Sequence, residues 1–341
     1  MPQLRVALLF FIAGFLAWGA WLLLAPGADD AMALPDYVPP TTEQPASPIP
    51  RHLSLDARKV ALGRRLFNEK RLSHDDTLSC ASCHSLLLAG ADGRPVAVGV
   101  SGHLGTANTP TVLNSGFNFR QFWDGRAANL EEQVRGPLEN AVEMGSSWNE
   151  VISKLSRDAD YSRDFAAIWP RTGSGAINAT NIQGALAEYE RSLTTPDAPF
   201  DRFLRGDPQA MSAQARRGWT LFRDLGCIAC HQGVNLGGNM YANLGVMSDF
   251  FAGRGKAQQQ IDQGLYNVTG REEDRHMFKV PGLRNVERTA PYFHDGSIAT
   301  LAQAVDTMAR HQLGVRLDAE QRQALLAFLG SLNGVLPQEI P

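Results

Sequence analysis

The stretches LSCASCHSL (residues 78–86) and LGCIACHQG (residues 225–233) each contain the signature Cys-x-x-Cys-His. Two thiols at this spacing can form thioethers with the two vinyl groups of one haem, and the histidine that follows can ligate its iron. The sequence therefore predicts two covalently bound haem c groups. The thiols concerned are all four cysteines of the chain: Cys80, Cys83, Cys227 and Cys230.

Three other interpretations of the signature are weaker. A zinc site could use two Cys-x-x-Cys pairs, but it would not need a histidine directly after each pair. A thioredoxin-like redox pair would need a strand-rich βαβ setting, which the neighbouring sequence does not indicate. Disulfides across a two-residue gap are rarely structural. We therefore expect His84 and His231 to be iron ligands, each through Nε2.

The two motifs lie in a longer internal repeat. GRRLF (residues 63–67) matches GWTLF (218–222), and ALAEYERSL (185–193) matches ALLAFLGSL (324–332). The apolar spacing of these segments at i, i+1, i+4 and i+8 is typical of a helix with one buried face. Each half thus consists of a helix, a haem motif, irregular loops and a closing helix, which is the organisation of a small class I cytochrome c.

The division between the halves falls at TTPDAP, residues 194–199. The sequence predicts a mainly α fold with two tandem class I cytochrome c-like domains, residues 51–196 and 197–341, each with one covalently bound haem. Residues 26–50 contain seven prolines and few large apolar residues, and we expect an extended, poorly ordered tether there.

The N-terminus is the most apolar part of the chain. Residues 6–24 carry no charge and, as a helix, would span about 28 Å, close to the hydrocarbon thickness of a bilayer. We interpret residues 1–25 as a signal anchor, with a signal peptide cleaved near AMA (31–33) as the alternative. Because Arg5 precedes the segment, the body is expected in the periplasm, with or without a tether to the inner membrane.

The two halves differ at the expected second iron ligand. Met308 lies sixteen residues before Ala324, whereas the corresponding position in the first half is Trp169. A methionine ligand raises the potential of a haem and makes it an electron-transfer centre. Met308 is therefore the expected ligand of the second haem; the weaker candidates are Met240, Met247 and Met277.

The first haem has two candidate ligands nearby. His103 lies in the glycine-rich loop VGVSGHLGTANTP (residues 98–110), which could move a ligand on or off the iron, and Met144 is the alternative. Beside a haem without a fixed second ligand, the carboxyl group of Glu143 suits general acid–base catalysis on peroxide, a role that contributes roughly 10²–10⁴-fold.

Beyond the two haem motifs, four further segments resemble the bacterial diheme cytochrome c peroxidases, relatives of the MauG-type diheme enzymes. The similarity covers about residues 53–334. The segments are NTPTVLN (108–114), FWDGRAANLEEQVRGPLENAVEM (122–144), FKVPGLRNVERTAPYFHDG (278–296) and TLAQAVDTMARHQLG (300–314).

The resemblance implies a role for several residues of the first half. His84 is the axial ligand of a low-potential, peroxidatic haem, and His103 is its displaceable second ligand. Glu143 is the catalytic acid and base. Trp123 is similar to the family tryptophan that lies between the two haems.

For the second half, the resemblance implies that His231 and Met308 ligate a high-potential haem that stores an electron. It also implies a calcium ion at the junction of the halves, bound by Asn108, Thr289 and Pro291. Side-chain amide and backbone carbonyl oxygens suit this hard cation.

The implied function is the reduction of hydrogen peroxide to water. Electrons would come from a small periplasmic redox protein, a reduced cytochrome c or a cupredoxin, and the family implies a homodimer. One alternative is a di-haem electron carrier without its own chemistry. Another is a MauG-like oxidase that modifies a protein, although those enzymes have tyrosine in place of Met308. A net charge of −3 gives no electrostatic reason to expect nucleic acid as a partner.

Overall fold

The computed structural model describes residues 45–170, 175–252 and 260–337. The predicted signal anchor (residues 1–25) and most of the predicted tether lie outside the described residues. Within these ranges, no helix combines the length and the apolar character needed to cross a bilayer. All described residues fall within one compact unit.

The described chain is mainly helical, as the sequence predicts. The helices, in chain order, are α1 (Ala57–Phe67), α2 (Cys80–Cys83), α3 (Leu130–Glu139), α4 (Trp148–Ser156), α5 (Ala159–Ile168), α6 (Ala179–Ser192), α7 (Pro199–Leu204), α8 (Ala213–Asp224), α9 (Tyr266–Thr269), α10 (Leu301–Leu313) and α11 (Ala319–Gly330). Two short strands, β1 (Tyr241–Asn243) and β2 (Met277–Lys279), pair in antiparallel register, with Ala242 opposite Phe278.

The helix that precedes each haem motif begins at a polar cap. The Asp56 carboxylate accepts a hydrogen bond from the Arg58 amide at the start of α1, and the Ser212 hydroxyl accepts one from the Ala215 amide at the start of α8. These side chains satisfy backbone amides that have no partner within the helix. Aspartate and serine are both among the preferred residues at a helix N-cap.

In each half, the first helix crosses the last one at a glycine. Gly63 of α1 lies against the backbone carbonyl of Ala185 in α6, and Gly218 of α8 lies in the same way against Ala324 in α11. A Cβ at either glycine would collide with that carbonyl. The glycines therefore permit the close approach of the helix backbones, and the repeat seen in the sequence is also a repeat in space.

Aromatic side chains fill the core beside each crossing. In the first half Phe67 and Tyr189 pack edge to face, with ring centroids 5.2 Å apart. In the second half Phe328 packs against Phe222 at 5.0 Å and Trp219 at 5.3 Å. Buried aromatic pairs of this kind contribute both apolar area and a preferred ring geometry. They fix the pair of crossing helices next to each haem motif.

The last part of the predicted tether is packed rather than free. Ala46 and Ile49 are 2% and 0% exposed, and Ala46 forms a parallel bridge with Gly233, two residues after His231. The Ile49 amide donates to the carboxylate of Asp201 at 3.1 Å. The chain therefore runs along the second half before it enters α1, which the proline content alone did not reveal.

Candidate active site

The first Cys-x-x-Cys-His motif folds into a single helical turn, α2, which presents Cys80 and Cys83 from one short segment. His84 follows as the C-cap, and its Nδ1 lies 3.1 Å from the carbonyl oxygen of Gly90. Because a carbonyl only accepts, Nδ1 carries the proton and Nε2 keeps its lone pair. Burial lowers the pKa of His84, which favours this neutral ring.

The second motif repeats this geometry. Residues Cys227–Ala229 form a turn of 3₁₀ helix, and Nδ1 of His231 lies 3.1 Å from the carbonyl oxygen of Leu236. Burial lowers the pKa of His231 as well. All four cysteines carry free thiols, so the disulfide interpretation finds no support.

A cavity of about 430 Å³ lies at the second motif. Cys227, Cys230, His231 and Met308 all line it. Among the methionines of the described ranges, Met308 alone does so. Apolar walls, two thiols, a neutral imidazole with a free Nε2 and a thioether sulfur are the donor set that a covalently bound haem requires. The residues present fit that group.

The other walls of this cavity are apolar side chains of the helices that cross in the second half. They include Phe222, Leu225, Val305, Leu313, Leu325 and Leu329.

Glu143 lies close to the first motif. Its Oε1 accepts a hydrogen bond from the Asn140 side-chain amide at 2.7 Å. Burial raises the pKa of Glu143, while the hydrogen bond from Asn140 and the charge of Arg126 oppose the shift. The thiol of Cys83 is within range of the Glu143 charge. The structure thus places a partly buried acid beside the first haem attachment site.

The loop that carries His103 is joined to the Glu143 segment at its base. The Val100 amide donates to the Glu143 carbonyl at 2.8 Å, and the Gly99 amide donates to the His103 carbonyl at 2.8 Å. The His103 side chain itself is exposed. Met144, the alternative ligand, is 7% exposed and packs in the core of the first half.

Trp123 connects the two halves. Its indole N–H donates to the carbonyl of Asn108 at 2.9 Å, and its own carbonyl accepts from the Lys279 amide at 2.9 Å. The half-buried ring lines the cavity of the second motif. A side chain of the first half therefore reaches the site of the second.

The three candidate calcium-binding residues, Asn108, Thr289 and Pro291, all line this same cavity, as does Trp123. The Asn108 side-chain N–H₂ group donates to the Arg94 carbonyl at 2.9 Å. The oxygen of such an amide is a donor of the type that suits a calcium ion.

A second repeat emerges from the backbone. Phe122 and Phe293 both have φ of 69°, and the bridge between Gln121 and Ala127 recurs between Tyr292 and Ile298. The shared pattern Phe-x-Asp-Gly, in FWDG (122–125) and FHDG (293–296), is the signal from which the sequence could have shown it.

This repeat places His294 where the first half has Trp123. His294 is 1% exposed, and its Nε2 lies 2.6 Å from the carboxylate of Asp262, which is itself buried. With Asp295 the pair forms a group of side chains of the metal-ligating type. Nothing in the sequence analysis singled out this histidine.

The family model for di-haem cytochrome c peroxidases matches residues 57–209. The chain is 47% identical to the cytochrome c peroxidase Ccp of Escherichia coli (strain K12), over 95% of this chain and 67% of that protein. It is 40% identical to the cytochrome c551 peroxidase of Pseudomonas aeruginosa, over 85% of both chains. The chain belongs to the di-haem cytochrome c peroxidase family.

Membership of the di-haem cytochrome c peroxidase family confirms the predicted pair of haems. The fold is also similar to the solved structure of a MauG-like protein associated with microbial copper homeostasis. The two match with a TM-score of 0.75 at 32% identity, over 89% of this chain and 95% of that one. The methylamine utilization protein MauG of Methylophilus methylotrophus is 32% identical over 84% of this chain and 86% of that protein.

Proposed function

We propose that this family member reduces hydrogen peroxide to water, using two electrons and two protons for each peroxide. The electrons would arrive one at a time from a small c-type cytochrome or a cupredoxin. The proposal rests on the similarity to cytochrome c peroxidases and, within the structure, on one observation. Glu143 is a partly buried acid beside the first haem motif, with its pKa raised by burial.

The first half would hold the peroxidatic haem through Cys80, Cys83 and His84. When bound, a haem supplies an iron that exchanges single electrons and, with a free coordination position, binds peroxide. Glu143 would take the proton from the near oxygen of peroxide and return it to the departing oxygen. The hydrogen bond from Asn140 fixes the carboxyl group for this transfer.

His103 would be the displaceable ligand. Its loop has the features of a movable segment, because Ser101 and Gly102 have φ of 56° and 76°, and no atom lies within 4 Å of the place where a Cβ of Gly102 would be. The base of the loop stays bonded to Glu143. His103 would leave the coordination position when an electron arrives at the second half; its exposed side chain has room to move.

The second half would store the electron, with His231 and Met308 as the two iron ligands. Trp123 lies in the path between the halves, because its hydrogen bonds join the Asn108 backbone to that of Lys279.

We also propose the two-domain division at residue 196, the class I cytochrome c character of each domain, and a calcium ion at Asn108, Thr289 and Pro291.

Replacement of Glu143 by glutamine tests the proposal. The Glu143→Gln holoenzyme keeps the hydrogen-bonding shape of the side chain but loses its proton, so we expect kcat for peroxide to fall at least about 100-fold. The absorption spectra of both haems should not change. The matched control is Glu139→Gln, at an exposed carboxylate that pairs with Arg135 at 2.7 Å. Full peroxide turnover in the Glu143 variant would refute its role.

The same assay separates the other candidate functions. If the protein were only a di-haem electron carrier, the unmodified protein would not oxidise reduced cytochrome c when peroxide is added. A MauG-like oxidase would act on a protein substrate, and Met308 in the second cavity favours the peroxidase. The periplasmic location, the membrane anchor and a homodimer remain part of the proposal.

A further inference from the structure

Lys279 is a buried cation that none of the roles above uses. The residue ends β2 and is 7% exposed. Desolvation is the sole cause that lowers the pKa of Lys279, to about 8. Among the residues that the structure describes, no carboxylate pairs with its ammonium group. A buried charge is costly unless a partner of opposite sign compensates it, so the cation indicates an anion that this described part of the chain does not supply.

The position of Lys279 shows where that anion would be. Lys279 is one of the residues that line the cavity, together with Cys227, His231 and Met308. A haem attached at Cys227 and Cys230 brings two propionate carboxylates into this cavity. An ammonium group in an apolar cavity is a strong site for a carboxylate, because the low dielectric strengthens the attraction.

The internal repeat shows that this cation belongs to one half only. The carbonyls of Pro110 and Pro281 occupy equivalent places beside His84 and His231. Two residues before each proline lie Asn108 in the first half and Lys279 in the second. The same place in the repeat therefore has a neutral side chain in the first half and a cationic one in the second.

We propose that Lys279 binds a propionate of the second haem and thereby raises the reduction potential of that haem above that of the first. A fixed positive charge near an iron favours the reduced form, which has one negative charge more. Lys279 is thus a positioning and charge-setting residue. The inference rests on the proposed electron-storing role of the second haem and deepens it.

The test is a spectroelectrochemical titration of the holoenzyme, which measures both midpoint potentials without peroxide. For Lys279→Gln we expect the equilibrium constant for reduction of the Met308-ligated haem to fall about tenfold, about 59 mV for one electron. Lys279→Met, which keeps the apolar stem, should give the same shift. Lys279→Arg, which keeps the charge, should stay within twofold of the unmodified enzyme.

The exposed Lys70→Gln variant is the matched control, since it removes the same charge from the surface of the first half. It should leave both potentials unchanged. The proposal is overturned if the charge-removing Lys279 variants leave the equilibrium constants for reduction of both haems within twofold of those of the unmodified enzyme. It is also overturned if only the first haem responds. Since no peroxide enters this measurement, failure here is separate from failure of the Glu143 test.

Discussion

Single residues give the two haem sites their different character. The histidines of the two motifs have the same tautomer, because His84 and His231 each donate Nδ1–H to a backbone carbonyl. The differences lie in the surrounding side chains. Met308 and Lys279 line the second cavity, whereas Glu143 lies beside the first motif. These are differences of ligand and charge between two copies of one design.

Glu190 is a further difference of charge. The helix crossings align Tyr189 with Phe328, so the next residues, Glu190 and Leu329, are equivalent. Leu329 lines the second cavity, and the charge of Glu190 acts on Cys80 of the first motif. The first half therefore has a buried carboxyl group where the second has an apolar wall.

This carboxyl group makes stability depend on pH. Burial raises the pKa of Glu190 to about 8, above the ordinary 4.5, so the folded protein binds more protons than the unfolded chain between these values. The contribution of this group to the free energy of unfolding is therefore complete below about pH 4.5 and is lost as the pH rises towards 8. We expect Glu190→Gln to be more stable relative to the unmodified protein at pH 8 than at pH 5.

Urea unfolding of the holoprotein at the two pH values measures this effect, with the exposed Glu139→Gln as control. The assignment fails if the stability difference between Glu190→Gln and the unmodified protein is the same at pH 5 and pH 8.

At the level of elements, the crossing of the first and last helices of each half organises the site. The glycine at each crossing allows the helix backbones to approach. The haem motif follows the first helix of its half: Cys80 comes after α1, which ends at Phe67, and Cys227 comes after α8, which ends at Asp224. The GRRLF and GWTLF segments were identified from sequence, because a short apolar pattern with a glycine is visible in one dimension. Only the fold shows that these glycines lie against the carbonyls of Ala185 and Ala324.

Gly63→Ala should weaken this crossing. The new Cβ would meet the Ala185 carbonyl, a backbone atom that cannot move aside alone, so we expect a loss of about 2–4 kcal/mol. Gly184→Ala in α6 is the control, because no atom lies within 4 Å of its Cβ position. Better helix propensity should stabilise that variant by up to about 1 kcal/mol. Thermal and urea unfolding of the holoproteins would contradict the prediction if both variants behaved alike.

At the level of the whole molecule, buried polar contacts join the end of the predicted tether to the second half. Arg284 and Asp201 are both fully buried and form an ion pair at 2.8 Å. Arg284 also donates to the Ser47 carbonyl, and Asp201 accepts from the Ile49 amide. One ion pair thus holds the segment before α1 against the second half.

Asp201→Asn tests this connection. It leaves the Arg284 charge buried without its carboxylate, and such losses cost about 3–5 kcal/mol. The exposed Asp224→Asn should change stability by less than about 0.5 kcal/mol. We also expect proteolytic cleavage near residues 45–50 to become faster in the Asp201 variant alone. Equal cleavage rates in the two variants would show that the ion pair does not retain the segment.

The sequence by itself determined the chemistry of haem attachment, because five consecutive residues contain the two thiols and the imidazole. It also determined the helical repeat and made Met308 the candidate ligand of the second haem, since position along a repeated pattern can be counted. Only the tertiary structure decided which polar groups are buried. Lys279, Glu190 and His294 look like ordinary residues in sequence, and they become buried only because segments distant along the chain exclude water around them.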